Sequence, residues 1–339
     1  MIGRLTTFVV VALVAVTGAR AEMFPLPPPG INVIGNVKTV TARHEDTFSD
    51  IARRYNLGFK ELVRANPEVD PWLPGEGTEI VLPTMYILPD APREGLVLNV
   101  PEMRLYYYPQ PGKGEKPVVI THPVSIGRQE WKTPLGQTRI VRKVAYPSWY
   151  PPASVRKEYR QEHGESLPRR VPPGPDNPLG THTLRLAIPG YLIHGTNKPY
   201  GVGMRVTHGC VRMYPEDIRA IFDDVPVDTP VYIVNQPYKA GWRNGLLYVE
   251  VHPPLDEDQD QASFSNSRTS TVKAVIGVSP RGNSAISWER AIQASNQASG
   301  VPTMISTDLL DVVAILAEAQ ADLKAKLAEA QLTAQAEED

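Results

Sequence analysis

The chain has 339 residues, with 35 Lys and Arg against 37 Asp and Glu, for a formal net charge of −2. That balance leaves no basic footprint for nucleic acid and argues against that class of partner. Proline is abundant at 34 residues, roughly twice the ordinary share. Because proline is excluded from helix interiors, it points to strands, turns and extended loops in the middle of the chain.

Residues 1–21, MIGRLTTFVVVALVAVTGARA, run from Arg4 through an apolar stretch, Phe8 to Val16, to Ala19-Arg20-Ala21. This order reads as a secretory signal peptide cut after Ala21, and its apolar core is short of the ~20 residues a spanning helix needs. No later segment is long and apolar enough to span, so an exported protein without a transmembrane anchor is expected. Phe24–Asn36, FPLPPPGINVIGN, is too rich in proline to pack, and residues 22–36 read as a spacer.

Residues 37–84 read β-α-α-β. Val37, Thr39 and Thr41 alternate as in a strand. Asp46-Thr47 offers a helix cap ahead of an apolar stripe at Phe48, Ile51, Ala52 and Tyr55. A second stripe at Leu57, Phe59, Leu62 and Val63 stops at Asn66-Pro67, and TEIVLP supplies a closing strand. The runs EDTFSDIARRYNLGFKELVRANP and LPGEGTEIVLP resemble a lysin-motif (LysM) domain. The resemblance implies binding of N-acetylglucosamine chains of peptidoglycan or chitin; the bland alternative is a small spacer domain that binds nothing.

From Gly95 the chain turns β-like, with GLVLNV, RLYYYP, KPVVITHPVSIG and LGQTRIVRKVAYP as short strands broken by Gly and Pro. Ser148–Gly180 is a long proline-rich excursion, within which ASVRKEYRQEH suits a short helix. Its Trp149, Tyr150, Arg169 and Arg170 would suit a lid that selects among partners at an active site; a surface excursion is the alternative. HTLRLAIP and GYLIHGTN add two strands, PEDIRAIFDDV (Pro215–Val225) a helix with proline in its first turn, and TPVYIVNQP a last strand. Beyond it the chain loses core character. LLYVEVHPP adds an edge strand, DEDQDQASFSNSRTSTV is polar, and Asp308 to Glu338 is alanine-rich at helical spacing. Residues 237–339 therefore read as an accessory tail, partly helical or disordered.

RVTHGCVRM, residues Arg205 to Met213, holds the only cysteine of the chain. In an oxidising compartment a lone cysteine cannot pair within its own chain, leaving an inert thiol, an intermolecular bridge or a reactive nucleophile. A nucleophile needs its thiolate, and a nearby imidazole would supply it. His208 shares a face with Cys210 if the segment is extended, and His194 ends the preceding strand, whose pairing would bring its ring to the sulfur. Arg212 would lie on the same face, able to lower the thiol pKa or hold an oxyanion. His182, His194 and His208 with Cys210 raise the alternative of a zinc site, although no H-E-x-x-H, CxxC or H-x-H is present.

IHGTN, a spacer, and THGCVRM are similar to the motif of the L,D-transpeptidases. The likeness extends to KTPLG, SWYPPASVR and PRRVPPGPDNPLGTHTLRL, over about residues 95–236. Twelve residues separate His194-Gly195 from His208-Gly209, fewer than in some branches. The resemblance implies a mostly β catalytic domain, sandwich or barrel-like, beside the LysM-type unit and a helical tail, in a Gram-negative periplasmic enzyme. It further implies that Cys210 attacks the diaminopimelate carbonyl of a tetrapeptide stem, releasing D-alanine and leaving a thioester for an amine. His194 would be the base, with the Gly195 carbonyl orienting its ring. His208, Gly209, Arg212, Gly195 and Thr207 would supply substrate and oxyanion contacts, with no metal or cofactor. The acceptor implied is the lysine of the murein lipoprotein, with 3–3 crosslinking or hydrolysis as alternatives, and a peptidoglycan-binding protein with a dead catalytic domain as a different class.

Overall fold

The computed structural model describes residues 22–259, 261, 266–279 and 286–307. The expected signal peptide and the alanine-rich segment from Asp308 lie outside them. At the N-terminus come β1 (Glu22–Pro25), β2 (Val33–Gly35), β3 (Lys38–Thr41), α1 (Phe48–Arg54), α2 (Phe59–Ala65), β4 (Glu79–Leu82) and β5 (Met85–Ile87). The proline-rich stretch is not the unpacked spacer expected. β1 pairs with a strand of the barrel, β2 pairs antiparallel with β5, and Val33 and Ile34 are buried. Its prolines sit at a strand end or in the turn between the two strands, where no ladder N–H is lost.

The β-α-α-β unit has β3 antiparallel to β4 and a core of Phe48, Ile51, Ala52, Leu57, Leu62, Ile80 and Leu82. Thr47 and Asp50 form a reciprocal capping box at the start of α1. Asn66 ends α2 because its side chain is committed elsewhere, donating to the Leu62 and Val81 carbonyls and accepting from the Val81 N–H. The unit docks on the barrel through the Arg104–Glu61 ion pair at 2.6 Å, the Asn56–Asp217 hydrogen bond at 2.8 Å and the Tyr214 hydroxyl donating to the Leu57 carbonyl.

The barrel comprises β6 (Gly95–Asn99), β7 (Arg104–Tyr108), β8 (Val118–Gly127), β9 (Gly136–Ala145), α3 (Ala153–His163), β10 (His182–Leu186), β11 (Leu192–His194), β12 (Arg205–Thr207), β13 (Val211–Met213), α4 (Pro215–Asp224) and β14 (Pro230–Val234). Its ten-stranded sheet runs β1-β8-β13-β11-β10-β9-β14-β6-β7, with β12 paired to β8 beside this path, and it closes because β8 also pairs with β7. Closure removes the sheet edges that would otherwise be left unpaired. The interior is filled by alternate residues such as Leu96, Leu98, Leu105, Val124, Ile126, Leu184, Ile193 and Val211, with Ile218 and Ile221 of α4 against them.

The region after the barrel does not lose core character. β15 (Tyr238–Arg243), β16 (Leu246–Val251) and β17 (Thr303–Met304) form a separate sheet covered by α5 (Ser267–Val278) and α6 (Trp288–Gln297). Leu247, Val249, Val251, Val275, Ala291 and Ile305 make its core. The expected edge strand, β16, is the central strand of that sheet. The pattern was hard to read because short alternating strands are separated by polar stretches. A buried ionic cluster ties this unit to the barrel: Lys239 Nζ lies 2.8 Å from both Glu102 and Glu250 and donates to the Ile87 carbonyl, while His252 bonds Glu250.

Removing that ammonium leaves two carboxylates buried without their cation. Lys239→Met should therefore lower stability by roughly 3–5 kcal/mol in denaturant unfolding; a loss below about 1 kcal/mol would mean that protonation of the acids compensates.

Candidate active site

The site rests on one strand pairing. β11 and β13 run parallel, with Ile193 opposite Val211 and His194 opposite Arg212. Ile193 and Val211 point into the barrel core, so His194 and Arg212 point to its outer face. Cys210, one residue before β13, continues the register opposite Leu192, whose backbone N–H is bonded to its sulfur. His194, Cys210 and Arg212 thus share one face, as the sequence suggested for His194 and Arg212.

His194 is buried, and its Nδ1 donates to the Gly195 carbonyl at 2.6 Å. That bond leaves Nε2 as the unprotonated nitrogen. Gly195 has no room for a side chain, since a Cβ would stand 3.0 Å from Ile218. Burial pushes the imidazole pKa down to about 3, aided by the charge of Arg212 and opposed by the Gly195 bond. Burial also pushes the Cys210 thiol up, against the Leu192 N–H and Arg212. The thiol itself points to the Gly190 carbonyl at 3.7 Å. The resting pair is therefore neutral thiol and neutral imidazole.

Thr207 ends β12, and His208 and Gly209 do not continue it as an extended strand into β13. Gly209 has φ +96°, in the region that favours glycine, and a Cβ there would stand 2.8 Å from the Tyr191 ring. The chain bends between β12 and β13, which cancels the alternation that would have put His208 beside Cys210. Thr207 is buried, and its hydroxyl donates to the Cys210 carbonyl at 2.6 Å, closing the bend. Thr133, from KTPLG, donates to the Gly209 carbonyl at 3.0 Å and accepts from the Gly127 N–H.

His208 instead faces the Ser148–Gly180 excursion. Its Nε2 donates to Glu158 of α3 at 2.7 Å, Arg128 bonds the other oxygen of that carboxylate, and Trp131 packs edge-on to the ring at 5.3 Å. Burial would raise the Glu158 pKa, but these two bonds outweigh it and hold the carboxyl below its usual range. The neck of the excursion is closed by a Trp149–Val171 bridge, by Arg170 donating to Ser148 and by Asn177 donating to the Pro147 carbonyl. Trp149 and Arg170 are thus partly spent on the neck, while Tyr150 and Arg169 are exposed. Glu158, Arg128, Trp131 and Gly190 were not singled out from sequence, where nothing marks them, because their contacts arise from how the loops fold.

The residues weighed for zinc diverge. His182 is next to Thr183, the residue opposite His194, so it faces the other side and packs at a tilt against the Phe222 ring, 4.5 Å between centroids. Among the described residues, the convergent ligand-type trio is Glu102, Glu250 and His252, where Lys239 already places its ammonium.

The twelve-residue connection between the two His-Gly pairs is held by the β-α-α-β unit. The Phe59 and Lys60 N–H groups donate to the Val202 and Gly203 carbonyls at 3.1 and 3.3 Å, and Ser125 donates to the Gly201 carbonyl at 2.7 Å.

A raised thiol pKa and a neutral imidazole give a definite pH signature. Alkylation of Cys210 by iodoacetamide follows the thiolate fraction, so its rate should climb from about pH 6 to 9 without a plateau. A plateau near pH 6 would reveal a resting thiolate–imidazolium pair instead.

Residues 93–233, which include both His194 and Cys210, match the family described as YkuD, the L,D-transpeptidase catalytic domain. The "Probable L,D-transpeptidase YcfS" of Escherichia coli (strain K12) is 44% identical over 263 residues, 76% of this chain and 81% of that protein. The "Probable L,D-transpeptidase ErfK/SrfK" of the same strain is 38% identical over 296 residues, 85% of this chain and 92% of that protein. Among solved structures, L,D-transpeptidase 3 from Mycobacterium tuberculosis is 18% identical with a TM-score of 0.30, covering 64% of this chain and 99% of that one. With identity of this size over most of both chains, and the match running through the parallel strand pair that carries histidine and cysteine, the chain belongs to the L,D-transpeptidase family and is an enzyme of that class.

Proposed function

We propose that the protein is a cysteine-dependent L,D-transpeptidase that acts on tetrapeptide stems of peptidoglycan in the periplasm and attaches murein lipoprotein to the wall. The observation that carries the reading is the β11–β13 register, which sets Cys210, His194 and Arg212 on one face with the imidazole tautomer fixed by the Gly195 carbonyl. The Cys210 proton passes to His194 Nε2 as sulfur adds to the diaminopimelate carbonyl. The C–N bond to D-alanine then breaks, and the imidazolium returns its proton to the departing amine. An acceptor amine, deprotonated by the same nitrogen, attacks the thioester; the C–S bond breaks and the sulfur takes back a proton.

Burial keeps the His194 imidazole neutral at rest, so it can accept the thiol proton without first losing one of its own. The backbone at Gly209 and the guanidinium of Arg212, whose Nε lacks a protein partner among the described residues, face the developing oxyanion. Thr207 holds the bend that presents them. His208 acts through Glu158, tying α3 to the cysteine segment, and the exposed Tyr150 and Arg169 of that excursion select the acceptor.

The β-α-α-β unit is taken as a LysM-type domain that grips the glycan strand; its docking makes it a fixed part of the enzyme. Residues 1–21 act as the export signal. A lone cysteine suits an oxidising compartment, since the nucleophile has no partner in its own chain with which to form a disulfide.

Cys210→Ser should release no D-alanine and take up no carbapenem, whereas the wild type should gain one adduct by intact-protein mass spectrometry. With tetrapeptide-bearing peptidoglycan and lipoprotein, the wild type should form a covalent lipoprotein–muropeptide adduct. Only 3–3 dimers would mean crosslinking, and only tripeptide with free D-alanine would mean hydrolysis. The Cys210→Ser chain should also co-sediment with insoluble peptidoglycan and be released by soluble N-acetylglucosamine oligomers. Failure of those oligomers to compete would reduce the β-α-α-β unit to a spacer.

A further inference from the structure

The outer face of the barrel that carries His194 extends past the catalytic residues. Two rows of outward side chains cross β9, β10, β11 and β13. Val144 opposes Thr183, Thr183 opposes His194 and His194 opposes Arg212, making one row. Arg142 opposes Arg185 and Arg185 opposes Leu192, making the next, which Cys210 continues. Arg185 and Arg142 therefore stand two and three strands along from the nucleophile on its own row, about 10 and 14 Å away at ~4.8 Å per strand.

Both arginines are exposed, and among the described residues neither guanidinium has a hydrogen bond or ion pair. No carboxylate occupies either row to neutralise them. Arg139, elsewhere on β9, does find one, Asp228 at 3.2 Å. Like charges directly opposite each other weaken a strand pair, a cost that a shared anion between the two guanidinium forks reverses.

We propose that Arg142 and Arg185 form a carboxylate subsite for the acyl-donor stem, holding a free carboxylate of the peptide while Cys210 attacks its diaminopimelate carbonyl. The inference rests on the reading of Cys210 as nucleophile toward peptidoglycan stems. A tetrapeptide stem suits it because diaminopimelate and the terminal D-alanine each carry a free carboxylate beside the scissile bond, and the guanidinium forks lie to one side of the sulfur along a defined line.

The test uses full-length enzyme with Arg142→Gln, Arg185→Gln and the double substitution, which remove charge while keeping a polar, exposed side chain. Each preparation is normalised to the fraction of Cys210 that a carbapenem acylates, and D-alanine release is followed with soluble tetrapeptide stems. The double variant should raise KM about tenfold or more, with kcat little changed. Wild type given stems amidated in turn at the free diaminopimelate carboxylate and at the D-alanine terminus should show the same rise with one of the two, and the double variant should show no further rise with that stem. An unchanged KM in the double variant overturns the subsite. Normal D-alanine release with slowed transfer to an amine also overturns it, by assigning the pair to the acceptor. Failure of wild type to form any thioester on Cys210 would sink the functional reading itself, and that result is distinct from active wild type matched by active variants.

Discussion

Everything chemical in this protein depends on the parallel pairing of β11 with β13. Side chains alternate along a strand, so the register that buries Ile193 and Val211 also turns His194 and Arg212 outward. A slip of one residue would bury the histidine side and expose the core side, exchanging the two sets completely. The register is therefore held by hydrophobic packing, and the placing of His194 and Arg212 on one face follows from the barrel core. Parallel neighbours also need a crossover, which here is the connection clamped between Ser125 of β8 and the start of α2.

Burial sets the electrostatic character of the pair. It disfavours charge on both groups, pushing the imidazole down and the thiol up. Arg212 lowers both values, but it offsets burial only at the thiol. The site is thus arranged to move a proton during the reaction rather than to store a thiolate beforehand. A nucleophile kept neutral at rest is less open to oxidation, which suits an enzyme with a single cysteine. The Glu158 contact to His208 places α3 against the same segment without engaging the sulfur.

The barrel is also braced from both ends of the chain. The N-terminal unit meets it through Arg104–Glu61 and Asn56–Asp217, and the C-terminal unit through Lys239 with Glu102 and Glu250. These polar groups are buried where the units join, so each is satisfied only when its neighbour is in place. Such contacts favour one arrangement of the three units over looser ones.

Local sequence determined the elements whose signals are local: the Thr47 capping box, the Asn66 stop, the strands around the barrel and the helix opening at Pro215. It also made the family legible, because the histidines, glycines and arginine around Cys210 form a dense motif. Tertiary structure decided the rest. Whether FPLPPPGINVIGN packs depends on a distant β8 and β5 offering edges to it. Whether His208 serves the sulfur depends on the φ of Gly209, which breaks an alternation that the letters alone suggest. Whether the C-terminal region has a core depends on β17 returning to β16 across more than fifty residues. Nothing in the order of residues places Arg142 and Arg185 on the row of Cys210, because that relation runs across strands through three registers, and registers are set by what the folded core can bury.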